Sequence, residues 1–354
     1  MTTSGSQAAT TDLAPSVLAR GGAVARLEPA AVVVGTACES EPLFEAERAL
    51  LCAQPDRVVR GLGAALLATG ARRGLLAVRA DFPDALAAAR RATRGTTVEV
   101  VALPPYYPLD ELVPVEVGLP GARCLDVRAL ADLDDAVRGR PRGPRWLSIV
   151  GAVRRPRVAV VPLGTPIEDL IDSAEPTWVA LAGALRGPAL DRDQVVDAEL
   201  PGLLVLPAGH ALVRGRKTTL PVELARAKSA CIDCRICTDA CPHALAGAPL
   251  EPHLALRILL HPRSGPGPSV AAGTLSCTGC GLCDVVCPAH LHPRPAVRAL
   301  AQALRAEGFL PETPAAPAPH PDRAGRRLAL ELLVERLDLS AYRRPGPLPV
   351  EHMA

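Results

Sequence analysis

The chain has 354 residues, enough for two or three domains, and its 39 basic against 37 acidic side chains leave a net charge of +2. That balance, with no basic stripe interleaved by aromatics, excludes nucleic acid as an expected partner. The longest apolar run, residues 203–213, is broken by Pro207, Gly209 and His210, so no transmembrane segment of roughly 18–20 residues is expected.

In chain order, residues 1–20 read as a disordered tail, with neither the charged n-region nor the apolar h-region of a secretory signal. Residues 31–36 (AVVVGT) form a short apolar strand, and 55–69 a helix carrying Val58, Val59, Leu62, Leu66 and Leu67 at helical spacing. A strand at 74–79 follows, then Asp81 as N-cap of a helix at 83–91, then a strand at 97–103. This β-α-β-α-β alternation implies a mostly parallel sheet. A helix is expected at 127–137 and a linker at 141–145 (PRGPR). From Trp146 the texture turns β-like, with paired strands in WLSIVGAV and RVAVVPLGT. Thr165-Pro-Ile-Glu168 reads as a capping box opening a short helix to Ser173. Further strands fall at 177–181 and 202–206, an order that suits a small β-grasp-like domain. A helix is expected at 251–260, and after the Pro-rich TPAAPAPHP a last helix at 327–337.

Eleven cysteines without an export signal point to the reducing cytoplasm, where thiols serve metals or catalysis. Eight of them form two C-x2-C-x2-C-x3-C-P motifs, Cys231, Cys234, Cys237, Cys241-Pro242 and Cys277, Cys280, Cys283, Cys287-Pro288, repeating with a period of 46 residues. Three cysteines at this spacing wrap one cubane, and the fourth reaches the other cluster. Cys231, Cys234, Cys237 and Cys287 are thus expected on one 4Fe–4S cluster, and Cys277, Cys280, Cys283 and Cys241 on the second. Zinc needs only four ligands in total and leaves the third cysteine idle. Two clusters with every iron ligated suit one-electron relay, and Gly279 and Gly281 let backbone N–H groups approach the sulfides. Cys38, Cys52 and Cys124 read as small buried hydrophobes, Cys38 being close enough to the acidic element below to touch a cofactor. His243, His253, His261 and His290 read as solvated or as neighbours of the ligands. Arg60-Gly61-Leu62-Gly63 lies inside a helix and is no dinucleotide fingerprint.

Residues 32–50, VVVGTACESEPLFEAERAL, resemble the flavin-binding segment of a known family. It comprises the NADH-binding flavoprotein subunit of respiratory complex I, the C subunit of the Rnf complex and the cobalamin reductase of propanediol-utilisation microcompartments. Glu39-Ser40-Glu41-Pro42 matches the family's E-x-E-P element, Thr36 stands at its Asn, and Glu47 replaces its Asp. Residues 146–171 resemble the family's soluble-ligand-binding (SLBB) β-grasp domain, 201–219 the approach to its twin clusters, and 333–350 the tail of its cobalamin-reductase branch. The resemblance implies FMN, with NADH as donor, near Thr36, Glu39, Glu41 and Pro42. One departure stands out. The family's glycine-rich loop and its lysine precede the first strand, whereas here only Gly21-Gly22 remains and no lysine occurs before Lys217. Because such loops lend N–H groups to phosphate, the FMN phosphate site reads as eroded or lost, with Arg20 or Arg26 left to substitute in part.

The expected fold is α/β and multidomain: a Rossmann-like flavoprotein-type domain (21–145), a β-grasp domain (146–219), a dicluster ferredoxin domain (220–305) and a Pro-rich linker with a C-terminal helix (306–354). The expected function is transfer of electrons from NADH and flavin through two clusters to a protein or a cobalamin-type acceptor. A microcompartment and a multi-subunit complex are both compatible settings. A flavin-less relay or adaptor, and a protein whose clusters only staple the fold, stay open beside it.

Overall fold

The structure, a computed structural model, describes residues 27–173, 175–261, 267–310 and 318–353. The expected N-terminal tail, Gly21-Gly22, Arg20, Arg26 and residues 313–317 of the Pro-rich stretch lie outside the described residues.

The first layer is built on β1 (Val32–Ala37), apolar and buried from Val33 onward, as befits a strand covered on both faces. Helices α1 (Ala46–Ala53) and α2 (Pro55–Thr69) follow. Pro55 starts α2, and Gly70 ends it in the left-handed region at φ 69°. Then come β2 (Arg73–Arg79), α3 (Pro83–Ala92), β3 (Val98–Leu103), β4 (Tyr106–Tyr107), α4 (Leu109–Glu116), β5 (Arg123–Asp126) and α5 (Val127–Val137). Four strands form a parallel sheet in the order β3-β2-β1-β5, with Val32 opposite Arg73 and Val33 opposite Arg123. Alternate residues face opposite sides. Val33 and Leu76 pack with Leu62 and Leu130 of α2 and α5. Val34 and Leu75 pack with Leu109, Leu112 and Val113 of α4. Gly61 sits where α2 crosses α5, and a Cβ there would lie 1.9 Å from the Leu130 carbonyl oxygen. That glycine serves packing, consistent with its place inside a helix.

Asp81 does not cap α3. The N-cap is Phe82, without a side-chain cap bond, because Asp81 is taken by Arg79, which donates to both carboxylate oxygens at 3.0 and 2.6 Å. A forked charged pair outcompetes a backbone cap.

The second sheet holds β6 (Arg145–Gly151), β7 (Arg157–Val161), β8 (Trp178–Leu181), β9 (Ala189–Leu190) and β10 (Gly202–Pro207). β6 and β7 are the expected pair and run antiparallel, Arg145 opposite Val161. Leu147, Ile149, Val161, Ile167, Leu203 and Val205 fill its core. The expected capping box does not form. The Thr165 hydroxyl donates to the Pro162 carbonyl (2.8 Å), the Ile167 N–H goes to Gln194 O (2.9 Å), and only one 3-10 turn, Ile167–Leu170, follows. Phe44, carried on the loop after β1, joins the layers by packing against Gly202, whose missing side chain makes the room.

The cysteine motifs lie on loops and single helical turns among α6 (Leu220–Ala230), α7 (Pro252–Leu260) and α8 (Arg294–Ala306). The chain then returns. β11 (Leu328–Ala329) pairs with β4, α9 (Leu330–Arg336) follows, and β12 (Val350–His352) adds to β7. The C-terminal segment therefore contributes strands to two sheets as well as the expected helix. Among the described residues no helix is long and apolar enough to cross a membrane.

Candidate functional site: two thiol groups and an acidic cleft

In both cysteine motifs the residues before and after the second cysteine adopt positive φ: Asp233 (54°) and Arg235 (63°) in the first, Gly279 (80°) and Gly281 (81°) in the second. This curls each loop inward, and Gly279 N–H donates to Cys277 Sγ at 3.3 Å. The fold gathers the thiols across the motifs. Cys237 has Cys287, Cys234 and Cys231 as its thiol neighbours, whereas Cys283 has Cys280, Cys241 and Cys277. Cys231, Cys234, Cys237 and Cys287 line one small pocket together with Leu256 and Leu291. Among the described residues no three His, Cys, Asp or Glu side chains converge on a point that would hold a single ion. Thiols set around a pocket suit the corners of a cubane better than one tetrahedral zinc. Burial, and then the neighbouring thiols, push Cys237 up to about 12; burial pushes Cys241 up to about 11. Such thiols need a compensating cationic centre to become thiolates.

The two groups differ in surroundings. Cys280 and Cys241 are buried, while Cys234 is exposed beside Ile232, itself 75% exposed. The buried loop is held from the first layer: Tyr107 donates its phenol O–H to the Cys280 carbonyl at 2.6 Å, and Thr278 donates to Glu111 Oε2 at 2.7 Å. His243 Nε2 lies 2.8 Å from the same carboxylate oxygen. Burial opposes the Glu111 charge, yet His243, Arg186 and Thr278 together hold its carboxyl below the ordinary value. His253 is buried against the Thr238 hydroxyl (2.7 Å), whereas His261 and His290 are exposed. Cys38 is fully buried; Cys52 and Cys124 are half-buried.

The sheet order reverses beside β1, since β2 and β3 lie to one side and β5 to the other. In such sheets the crevice at the carboxyl ends of the strands is the usual ligand site. Thr36, buried, is the penultimate residue of β1 there, and Glu39-Ser40-Glu41-Pro42 follows shortly after. Glu39 and Glu47 exchange backbone-to-carboxylate hydrogen bonds, and Arg128 spans them at 3.5 and 3.1 Å. Burial raises both carboxyls above the ordinary glutamate value despite Arg128. Glu41 Oε2 accepts from Ala184 N–H (2.8 Å) and Oε1 from Arg186 Nε (2.9 Å); Arg186 also grips Asp110 and Glu111 at 2.6 and 3.0 Å.

Around these groups lies a cleft of about 450 Å³ between the two sheets, lined among others by Glu39, Glu41, Glu47, Arg128 and Arg186. Its described lining holds six carboxylates and two arginines, a set that suits hydroxyl and N–H groups and repels phosphate. Pro42 instead faces a second cavity of about 530 Å³ with Arg48, Arg79, Phe82 and Tyr342. The structure thus brings Thr36, Glu39 and Glu41 to one end of the sheet and adds Glu47, but points Pro42 to the other side. Arg128, Arg186, Asp110, Glu111 and Tyr107 escaped the sequence reading. The available signal was the Tyr106-Tyr107-Pro108 run, which holds two of only three tyrosines in an aromatic-poor chain.

Comparison with known proteins accords with this geometry. Residues 20–112 match the Nuo51 FMN-binding domain family, and residues 230–292 match the 4Fe-4S dicluster domain family. FMN and a pair of 4Fe–4S clusters are the cofactors these two domains specify. The chain is 30% identical over 333 residues to cobalamin reductase PduS of Citrobacter freundii, covering 88% of this chain and 73% of that one. It is 30% identical over 342 residues to PduS of Salmonella typhimurium, covering 89% and 74%. The C subunit of the proton-translocating ferredoxin:NAD(+) oxidoreductase complex of Clostridium ljungdahlii is 29% identical over 232 residues, 60% of this chain and 48% of that subunit. The chain is an iron–sulfur electron-transfer oxidoreductase and belongs to the family of the cobalamin reductase PduS.

Proposed function

We propose that the chain accepts electrons from NADH at a flavin in the acidic cleft and passes them singly through two clusters to a protein or cobalamin-type acceptor. A flavin supplies the step between two-electron hydride chemistry and one-electron carriers. In this reading Cys231, Cys234, Cys237 and Cys287 hold one cluster, and Cys277, Cys280, Cys283 and Cys241 the other. Glu39 and Glu41 offer carboxylate oxygens to the hydroxyl and N–H groups of the flavin or the nucleotide. Arg128 and Arg186 hold those carboxylates in place, and Thr36 lies beside the strand end. Pro42 turns the chain out of the cleft and separates it from the second cavity. The FMN phosphate belongs outside the acidic lining.

The same reading assigns 21–145 to a flavoprotein-type layer, 146–219 to an SLBB-like β-grasp domain, 220–305 to the ferredoxin domain and 306–354 to a returning tail. A cytoplasmic setting, within a microcompartment or beside partner subunits, suits it. The observation that carries the proposal is the physical link from Glu41 through Arg186 and Glu111 to Thr278 in a cysteine loop.

The flavin-less relay has one observation in its favour, the carboxylate excess in the cleft. Cofactor analysis of anaerobically purified protein separates the readings. Two cubanes require about eight irons per chain. With that iron, stoichiometric FMN and NADH-driven bleaching support the oxidoreductase. Iron without flavin, even after incubation with FMN, supports the relay, and a value near one zinc overturns both.

A further inference from the structure

The two thiol groups stand in unlike surroundings, and the difference has a direction. The loop from Cys277 to Cys280 is gripped from the cleft side at two points, by Tyr107 on the Cys280 carbonyl and by Glu111 on Thr278. Further along the motif, Arg294 bonds both the Leu185 carbonyl and Asp284. Tyr107 is fully buried. Its ring lies 5.5 Å from the guanidinium of Arg186, the residue that lines the cleft and holds Glu41. A chain of packed and hydrogen-bonded atoms therefore runs from the cleft wall through Arg186 and Tyr107 to a cysteine backbone. Among the described residues, no hydrogen bond from the cleft side reaches the loop from Cys231 to Cys237. Residues 232–236 are exposed, and the side-chain contacts of this stretch are the surface pairs of Asp233 with Arg257 and Arg235 with Glu251.

We infer that the two clusters work in a fixed order: the Cys277–Cys280–Cys283–Cys241 cluster receives electrons from the cleft with Tyr107 as its positioning residue, and the Cys231–Cys234–Cys237–Cys287 cluster delivers them to an external one-electron acceptor at the Ile232–Cys234 edge. Each transfer oxidises the donor by one electron and reduces the next centre by one, with no bond formed or broken. The inference rests on the cluster assignment proposed above. A buried tyrosine commonly bonds a carbonyl for stability alone, so the test has to separate a path from a prop.

Cys234→Ser changes one ligand of the outer cluster and marks its EPR signal. In the first measurement, the marked protein is reduced with dithionite, mixed with cytochrome c as a bulky oxidant, and freeze-quenched. The marked signal is expected to vanish first; loss of the unmarked signal first, or of both together, overturns the order. Cytochrome c needs no flavin, so this outcome stands even if NADH proves not to be the donor, a failure that counts against the preceding proposal alone.

In the second measurement, Tyr107→Phe keeps the ring and removes the hydroxyl. Reduction of the unmarked cluster by NADH is expected to slow several-fold, while iron content, the midpoint potential of the marked cluster and reduction by dithionite stay as in the parent. If wild-type protein takes no electrons from NADH, photoreduced free FMN is the donor for the same comparison. An unchanged rate removes Tyr107 from the path. Equal slowing with dithionite, or lost iron, shows a prop only. Thr278→Val serves as the second variant, since it loosens the same loop without touching the tyrosine, and slowing there with a normal Tyr107→Phe rate also overturns the assignment.

Discussion

Glu39 and Glu47 hold each other by a reciprocal pair of hydrogen bonds, each backbone N–H donating to the other's carboxylate at 3.0 and 3.2 Å. Two buried carboxylates eight residues apart in sequence share one guanidinium, that of Arg128. Burial raises both above the ordinary glutamate value of 4.5. A carboxyl whose value is raised in the folded state contributes stability that is present below the unfolded value and lost as pH rises through the folded one. Glu47→Gln removes one such group. Denaturation of anaerobic protein at a series of pH values should show the wild type losing more stability than the variant from pH 4.5 upward. Parallel profiles count against the shared-charge account.

Arg186 is the only described partner that carries charge to Glu41, and it also neutralises Asp110. Arg186→Ala takes the shared guanidinium from the carboxylates of Glu41, Asp110 and Glu111 at the seam of the layers. A loss of about 3 kcal/mol is expected, the usual cost of breaking a buried pair from one side. Urea unfolding measures it. Arg186→Lys should recover part of the loss, since a single ammonium cannot fork to three carboxylates as a guanidinium does.

The crossed grouping of thiols makes distant substitutions equivalent. Cys231→Ser and Cys287→Ser should perturb the same EPR signal, and Cys241→Ser should match Cys277→Ser instead. If Cys241→Ser perturbs the signal altered by Cys231→Ser, each motif holds its own four ligands and the crossed assignment fails.

Two glycines of one helix predict opposite outcomes. A Cβ on Gly61 meets the Leu130 carbonyl oxygen at 1.9 Å, whereas one on Gly63 meets nothing within 4 Å. Gly61→Ala should cost about 1–3 kcal/mol as overpacking pushes α2 and α5 apart. Gly63→Ala should stabilise by about 0.4–1 kcal/mol by restricting the unfolded chain. Thermal unfolding of the pair decides both.

The parallel sheet was legible because its strands are short apolar runs flanked by periodic helices, and the dicluster domain because cysteine spacing is a covalent constraint that few structures share. The N-cap role of Asp81 was misread because local pattern does not reveal that Arg79, at the end of the preceding strand, competes for the carboxylate. The capping box at Thr165 failed for a similar reason, since the Ile167 N–H donates to the Gln194 carbonyl, 27 residues further along the chain. Glu39 and Glu41 were visible through their motif, yet their partners Arg128 and Arg186 lie 89 and 145 residues further along the chain. Single arginines in an arginine-rich sequence carry no mark of that pairing. The strands β11 and β12 were missed because two- and three-residue strands have too few positions to show alternation.

Those late strands bear on the order in which the protein is made. Tyr106 and Tyr107 emerge from the ribosome well before their strand partners Leu328 and Ala329. At 5–20 residues per second the interval is roughly 10–45 s. Throughout it one tyrosine pair stays unzipped, and one edge of the second sheet lacks Val350–His352. Both cysteine loops are translated inside that window. A cluster inserted during translation would therefore meet a molecule whose two late strand pairings have not yet formed.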